Sequence, residues 1–211
     1  MILIECMQGT EEWHKARCGV ITASKFRGAV DVTKKGERTA KSTLYAAQVA
    51  LERISGVAND ETFVTWQMKR GTELEPAARM EYEALTGNFA TESGVVLTDD
   101  RLFGYSTDGF IGDDGLIEIK SLASAEKIVA MWRDGDMSDY MHQIQGGLWI
   151  TGRKWADFVM YCPQLESIGK QIFHRRVERD EAFIEQLEKD LVSFAKLVDE
   201  NESVLREAVP A

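Results

Sequence analysis

The chain has 211 residues, 44% of them hydrophobic, and a formal net charge of −10, which suits one substantial core in a single α/β or α+β domain over residues 1–211. Its three cysteines, Cys6, Cys18 and Cys162, are odd in number and widely spaced, which excludes a disulfide framework, a C-x-x-C zinc site and a cysteine-held iron–sulfur cluster. No apolar run of roughly 18 residues occurs, and the opening Met-Ile-Leu-Ile-Glu-Cys has no basic flank, so a soluble, cytoplasmic protein is expected.

Thr10 suits the N-cap of a short helix, with Glu11 and Glu12 in its first turn, Gly19 to end it, and Trp13, Ala16 and Ile21 on its buried side. A second short helix is expected near Thr22, with Ser24 in its first turn and Arg17 just upstream. Amides and hydroxyls at such a start can hold a phosphate, while each residue alone also fits a cap or an ordinary surface position. Lys34, Lys35 and Arg38 fall in an exposed loop. Leu44, Ala47, Leu51 and Ile54 recur at helical spacing and would form the buried face of a helix closed by Gly56. A further helix is expected from Trp66 to Leu85. Within it Glu73 and Glu75 lie two apart and cannot share a face, and Pro76 either kinks the helix or starts a new one.

Strands are expected over 94–97, 102–106, 109–111 and 116–120. The last two form a hairpin around Gly112-Asp113-Asp114-Gly115. Alternation puts Leu116, Glu118 and Lys120 on one face and Ile117 and Ile119 on the other. Ile117 and Ile119 would anchor the strand, while Glu118 and Lys120 project toward the end that carries Asp108. Two converging carboxylates are hard oxygen ligands suited to Mg²⁺, and a neighbouring ammonium can position an attacking water at phosphorus. The same spacing also occurs on solvated strand faces with no chemistry.

Helices follow at 124–133 and from Ser138, the second carrying Tyr140, His142, Gln143 and Gln145. Tyr140, Gln143 and Gly147 form one stripe, and Gly146-Gly147 predicts close packing on the sheet. Strands at 156–162 and 171–178 complete the core, and an amphipathic helix over about 180–205 packs on it through Ile184, Leu187, Leu191, Phe194 and Val198. Charge is polarised along the chain. From His14 to Lys41 bases outnumber acids eight to two, and from Asp180 to Glu202 acids outnumber bases eight to two.

Five motifs in order carry a resemblance: Trp13 to Ser24, Gly71 to Arg79, Ser106-Thr107-Asp108-Gly109, Glu118-Ile119-Lys120, and Tyr140 to Gln145. Over residues 8–178 the chain resembles the lambda-type alkaline exonucleases, or viral recombinase family, within the PD-(D/E)xK nuclease superfamily. The resemblance implies a restriction-endonuclease-like fold, a central mixed sheet flanked by helices. It implies a two-metal Mg²⁺ exonuclease, with Mn²⁺ able to substitute, that digests the 5′-ended strand of linear duplex DNA and leaves 3′ overhangs for recombination. Metal ligands would be Asp108, Glu118, the Ile119 carbonyl and Glu75, and Lys120 would orient the attacking water. Arg17 and Ser24 would hold the 5′-phosphate, and Tyr140 and Gln143 would line the scissile phosphate. The basic segment with Lys34, Lys35 and Arg38 would face DNA. A homotrimeric ring, a single-strand annealing partner and a phage or prophage setting in a bacterial host are also implied. Thr107 departs from the pattern, standing where the superfamily has Pro.

Two other readings use the same residues. A restriction-type endonuclease would share the metals and differ in how DNA enters. A non-catalytic DNA-end-binding protein would use the carboxylates structurally, but uncompensated acids beside DNA would weaken its binding.

Overall fold

The computed structural model of the chain describes residues 1–58 and 66–207. In order, its elements are β1 (Ile2–Ile4), α1 (Glu11–Arg17), β2 (Ile21–Thr22), a 3₁₀ turn (Ala23–Lys25), α2 (Phe26–Ala29), α3 (Ala40–Ser55), α4 (Trp66–Thr86), β3 (Ala90–Thr91), β4 (Val95–Leu97) and β5 (Phe103–Ser106). Then come β6 (Gly109–Ile111), β7 (Gly115–Lys120), α5 (Ala125–Asp134), α6 (Met141–Thr151), β8 (Trp155–Tyr161), a 3₁₀ turn (Pro163–Ile168), β9 (Ile172–Glu178) and α7 (Glu181–Arg206). Local chemistry explains most boundaries. Thr10, Thr39, Ser124 and Asp180 each accept a backbone N–H from the first turn of their helix, and Gly56, Gly135 and Gly152 close α3, α5 and α6 in the left-handed conformation. Helix α4 runs through Pro76 as one element.

The expected central sheet is two mixed sheets. One has the order β1-β4-β5-β2 and the other β3-β6-β7-β8-β9. β7 pairs with β6 antiparallel and with β8 parallel, placing Glu118 beside Phe158 and Lys120 beside Met160. Both faces of β7 are covered. Leu116 joins the main core with Phe158, Met160, Ile144, Leu148, Leu191 and Phe194, whereas Ile117 and Ile119 pack with Val159, Ala78 and Tyr82 beneath α4. Glu118 therefore leaves a buried strand rather than a solvated one.

Three expectations need correction. Leu44, Leu51 and Ile54 are exposed on α3, and its buried face is Ser42, Ala46, Val49 and Ala50. The small side chains admit a close neighbour, and Tyr45 stacks on Phe194 of α7 at 5.5 Å. Ile21 does not pack under α1; it lies in β2 beside Phe103 of β5. Ser138 does not cap α6. Its N–H bonds to Asp136 at 2.9 Å, and the helix begins only after Tyr140. The Gly146-Gly147 expectation holds for a concrete reason: a Cβ at Gly146 would sit 2.5 Å from the Phe26 ring, and one at Gly147 would sit 2.7 Å from the Tyr105 ring.

Candidate active site

The two sheets meet at Thr107 and Asp108, the two residues between β5 and β6. Thr107 is fully buried. Its hydroxyl lies 2.9 Å from the Gly109 carbonyl and 3.1 Å from the Ile117 carbonyl, and it accepts the Gly109 N–H at 3.2 Å. A side-chain hydrogen-bond network thus fixes the turn where a pyrrolidine ring would otherwise do so. Asp108 Oδ2 accepts the Ile119 N–H at 2.6 Å. N–H and C=O of one strand residue leave on the same side, so the Ile119 carbonyl also faces the Asp108 edge of β7.

Glu118 is 1% exposed and fully engaged. Oε2 accepts from Tyr105 at 2.9 Å, and Oε1 accepts from Lys120 Nζ and from Gln143 Nε2, each at 2.5 Å. Tyr105 was not picked out by sequence reasoning. Its partner lies on another sheet, and only Gly147, which leaves room for its ring, hints at its place. From α4, Arg79 donates to Glu75 at 3.2 Å and to the Asp108 carbonyl at 2.7 Å, which brings Glu75 to the same centre. Glu73 points to solvent.

The electrostatics are those of crowded acids. Burial, and then the Glu118 charge, push the Asp108 carboxyl well above the usual carboxylate range, with Lys120 opposing. Burial also raises Glu75, against the pull of Arg79. Burial alone would lower the Lys120 ammonium, but Glu118 and Asp108 outweigh it and hold it above an ordinary lysine. Among the described residues the three carboxylates do not close into a ready cluster of metal ligands, since Glu118 faces Lys120 and Glu75 faces Arg79. The donor chemistry nonetheless fits a hard cation: two carboxylates and a carbonyl oxygen, with Asp108 raised by burial and by the Glu118 charge.

On the opposite side of Thr107, Ser106 Oγ accepts from Arg17 Nη1 at 3.2 Å and from Trp13 Nε1 at 3.0 Å, while the Arg17 guanidinium lies 4.0 Å over the Trp13 ring. Arg17 is thereby fixed two residues from Asp108. Ser106 is a second residue that sequence reasoning passed over, although it opens the Ser-Thr-Asp-Gly motif. Arg17, Ser24 and Tyr140 line one cleft of about 830 Å³. The family description "YqaJ-like viral recombinase domain" matches residues 12–154.

The chain belongs to this family. The chain is similar to the alkaline exonuclease LHK-Exo from Laribacter hongkongensis, at 37% identity and a TM-score of 0.80, over 93% of this chain and 97% of that one. LHK-Exo in complex with dAMP gives 37% identity and a TM-score of 0.81 over the same shares. A phage-related exonuclease from Haemophilus somnus 129PT shares the fold at 16% identity, with a TM-score of 0.70 over 88% of this chain and 96% of that one. The fold is thus that of the phage-type PD-(D/E)xK exonucleases. No protein with a curated description matches significantly.

In the folded chain, Asp108, Glu118, Ile119, Lys120, Glu75 and Gln143 come together, with Tyr140 packed against Phe158 at 5.0 Å. The loop cations do not join them. Lys34 and Lys35 lie on an exposed turn outside the cleft. Arg38 donates to the Ala29 carbonyl at 3.0 Å and to Ser193 at 3.0 Å, tying the start of α3 to α7. His142 packs on Phe183 of α7 at 5.2 Å, and burial lowers its pKa, so it serves packing rather than the acids. Among the described residues no helix is long and apolar enough to cross a membrane.

Proposed function

We propose that the protein is a Mg²⁺-dependent exonuclease that digests the 5′-ended strand of linear duplex DNA to mononucleotides and leaves 3′ overhangs for phage-type recombination. The observation that carries this reading is the direct coupling of Arg17, through Ser106, to the turn that bears Asp108. An anchor for a terminal phosphate beside a hydrolytic centre measures one nucleotide from an end. Family membership supports the nuclease role in recombination.

Asp108, Glu118 and the Ile119 carbonyl would hold the metal, with Glu75 contributing to a second ion and Mn²⁺ able to substitute. When bound, the metal lowers the pKa of a water and stabilises charge in an in-line displacement at phosphorus. Lys120 orients that water from Glu118. Gln143 and Tyr105 keep the Glu118 carboxylate fixed, and Tyr140 lines the path of the scissile phosphate. Water oxygen bonds to phosphorus, the P–O3′ bond breaks, and the departing O3′ takes a proton. The new strand end carries a 5′-phosphate, ready for Arg17 and Ser24. The exposed Lys34 and Lys35 would meet DNA farther from the end. The family likeness further supports a homotrimeric ring, which would gather three basic clefts, and a single-strand annealing protein as partner.

The test is Mg²⁺-dependent cleavage of a linear 5′-phosphorylated duplex labelled at either end, with closed circular duplex and EDTA controls in parallel. Mononucleotides released from 5′ ends of linear DNA alone are expected. Cutting of the circle would instead identify a restriction-type endonuclease, and no metal-dependent cutting would leave an end-binding protein. Arg17→Ala is expected to lose about 10- to 100-fold in its preference for phosphorylated over hydroxyl 5′ ends, the range for hydrogen bonds to a charged group. Equal rates on both ends in the unmutated enzyme would remove Arg17 from this role.

A further inference from the structure

The cleft that holds Arg17 and Ser24 contains an acid that the proposed reaction does not use. Asp139, in the turn before α6, accepts from Arg27 Nη1 through Oδ1 and from Lys127 Nζ through Oδ2, the latter at 3.1 Å. It thereby joins α2 to α5 across the cleft. Lys25 and Lys41 line the same walls, and Asp139 is the one acid among the described residues lining it. An acid at this position opposes the purpose of a basic cleft.

Two features show how that opposition can be temporary. All three side chains are well exposed, 57% for Arg27, 55% for Lys127 and 40% for Asp139. Ion pairs in such surroundings are weak and exchange readily. Asp139 also gives one oxygen to each cation, which is what two non-bridging oxygens of a phosphodiester would do. Hydrogen bonds from Lys127 and Arg27 hold its carboxyl below the usual range, so it remains a full anion at neutral pH. The next residue is Tyr140, which lies within electrostatic reach of Lys120. The exchange would therefore take place beside the reaction centre.

We infer that Asp139 stands in for a DNA backbone phosphate, keeping Arg27 and Lys127 aligned across the empty cleft and yielding both to the substrate. This rests on the DNA-cleaving reading above. Arg27 and Lys127 thereby become a second phosphate subsite, distinct from Arg17 and Ser24. Because the carboxylate competes with each arriving phosphate, the strand is held loosely enough to advance. An uncontested pair of cations would grip it.

The test is fluorescence anisotropy of a 5′-phosphorylated duplex over a series of KCl concentrations, with all proteins in a Lys120→Ala background to prevent cleavage. Asp139→Asn is expected to tighten binding several-fold at low salt. It should also steepen the slope of log Kd against log salt by about 1 to 2, since each phosphate neutralised adds about 0.9. Adding Arg27→Gln and Lys127→Gln should return the slope to that of the parent or below. An unchanged slope in Asp139→Asn, with or without a fall in melting temperature, would make Asp139 a structural tie and overturn the inference. If the parent itself binds no DNA at any salt, the nuclease reading falls as well, an outcome distinct from binding with an unaltered slope.

Discussion

Lys120→Ala is expected to cleave linear duplex about 10²- to 10³-fold more slowly than the unmutated protein while binding it with an affinity within a few-fold. That factor is typical for removing one preorganised charge or donor from a reaction centre. Binding should survive because the groups proposed to hold DNA lie elsewhere, in the cleft of Arg17, Ser24 and Tyr140. The centre should also keep its shape, since Glu118 retains Tyr105 and Gln143 when Lys120 is gone. Single-turnover cleavage and anisotropy on the same duplex separate the two quantities. A variant that cleaves within threefold of the parent would show that Lys120 only neutralises Glu118 and does not position the water.

Asp157→Ala should be the most destabilising single substitution in the second sheet, by about 3–5 kcal/mol, because it strands the partners of a buried charge. Asp157 is fully buried in β8. It accepts from Arg176 Nε and Nη2, both at 2.9 Å, and from the Tyr82 hydroxyl at 2.7 Å, with His174 Nε2 at 3.1 Å. For a domain of this size the loss corresponds to a melting temperature lower by roughly 6–20 °C. Burial works against the charged form of Asp157, but the bonds from Arg176 and Tyr82, with His174 close beside them, outweigh it and hold the carboxyl far below its usual range. A depressed carboxyl stabilises the fold fully above its unfolded pKa of about 4, and that stabilisation is lost as the pH drops from there toward the folded value. The stability gap between the unmutated protein and Asp157→Asn should therefore be narrower at pH 3 than at pH 7, by about 1 kcal/mol. Denaturant titrations at both pH values measure it, and an equal gap would show that Asp157 acts through packing alone.

What the sequence revealed followed from how local each signal is. The hairpin of β6 and β7, the cap at Thr10, the start of the last helix near Asp180 and the apolar face of α7 rest on neighbours a few residues away, and all were legible. The buried face of α3 was misread because two stripes share its helical period. The larger residues, Leu44, Leu51 and Ile54, attract attention, but a close approach to α7 selects Ala46, Val49 and Ala50. The strands β1, β2 and β3, two or three residues each, are too short to show alternation, so the division into two sheets was hidden. In the site, Asp108, Glu118, Lys120 and Gln143 were visible as motif residues. Tyr105 was not, and Ser106, although it opens a motif, carried no sign of its role, because each acquires its partner across a sequence distance that no local pattern encodes. Asp157 did leave a trace, an acid inside an otherwise apolar strand.

The crossing of Thr107 and Asp108 from one sheet to the other bears on how the molecule can lose activity. Ser106 ends β5 in the first sheet and Gly109 begins β6 in the second, so the Asp108 carboxylate hangs on the seam between them. Bonds to Ile117 and Ile119 pin that seam to β7. Fraying of a terminal strand leaves it closed, whereas parting the sheets pulls Asp108 away from Glu118. The amides of Gly109 and Ile119 should therefore exchange with solvent deuterons only through large cooperative openings of the native state. Cleavage activity and the fold should therefore be lost together on heating, with little room for a compact form that is intact yet catalytically silent.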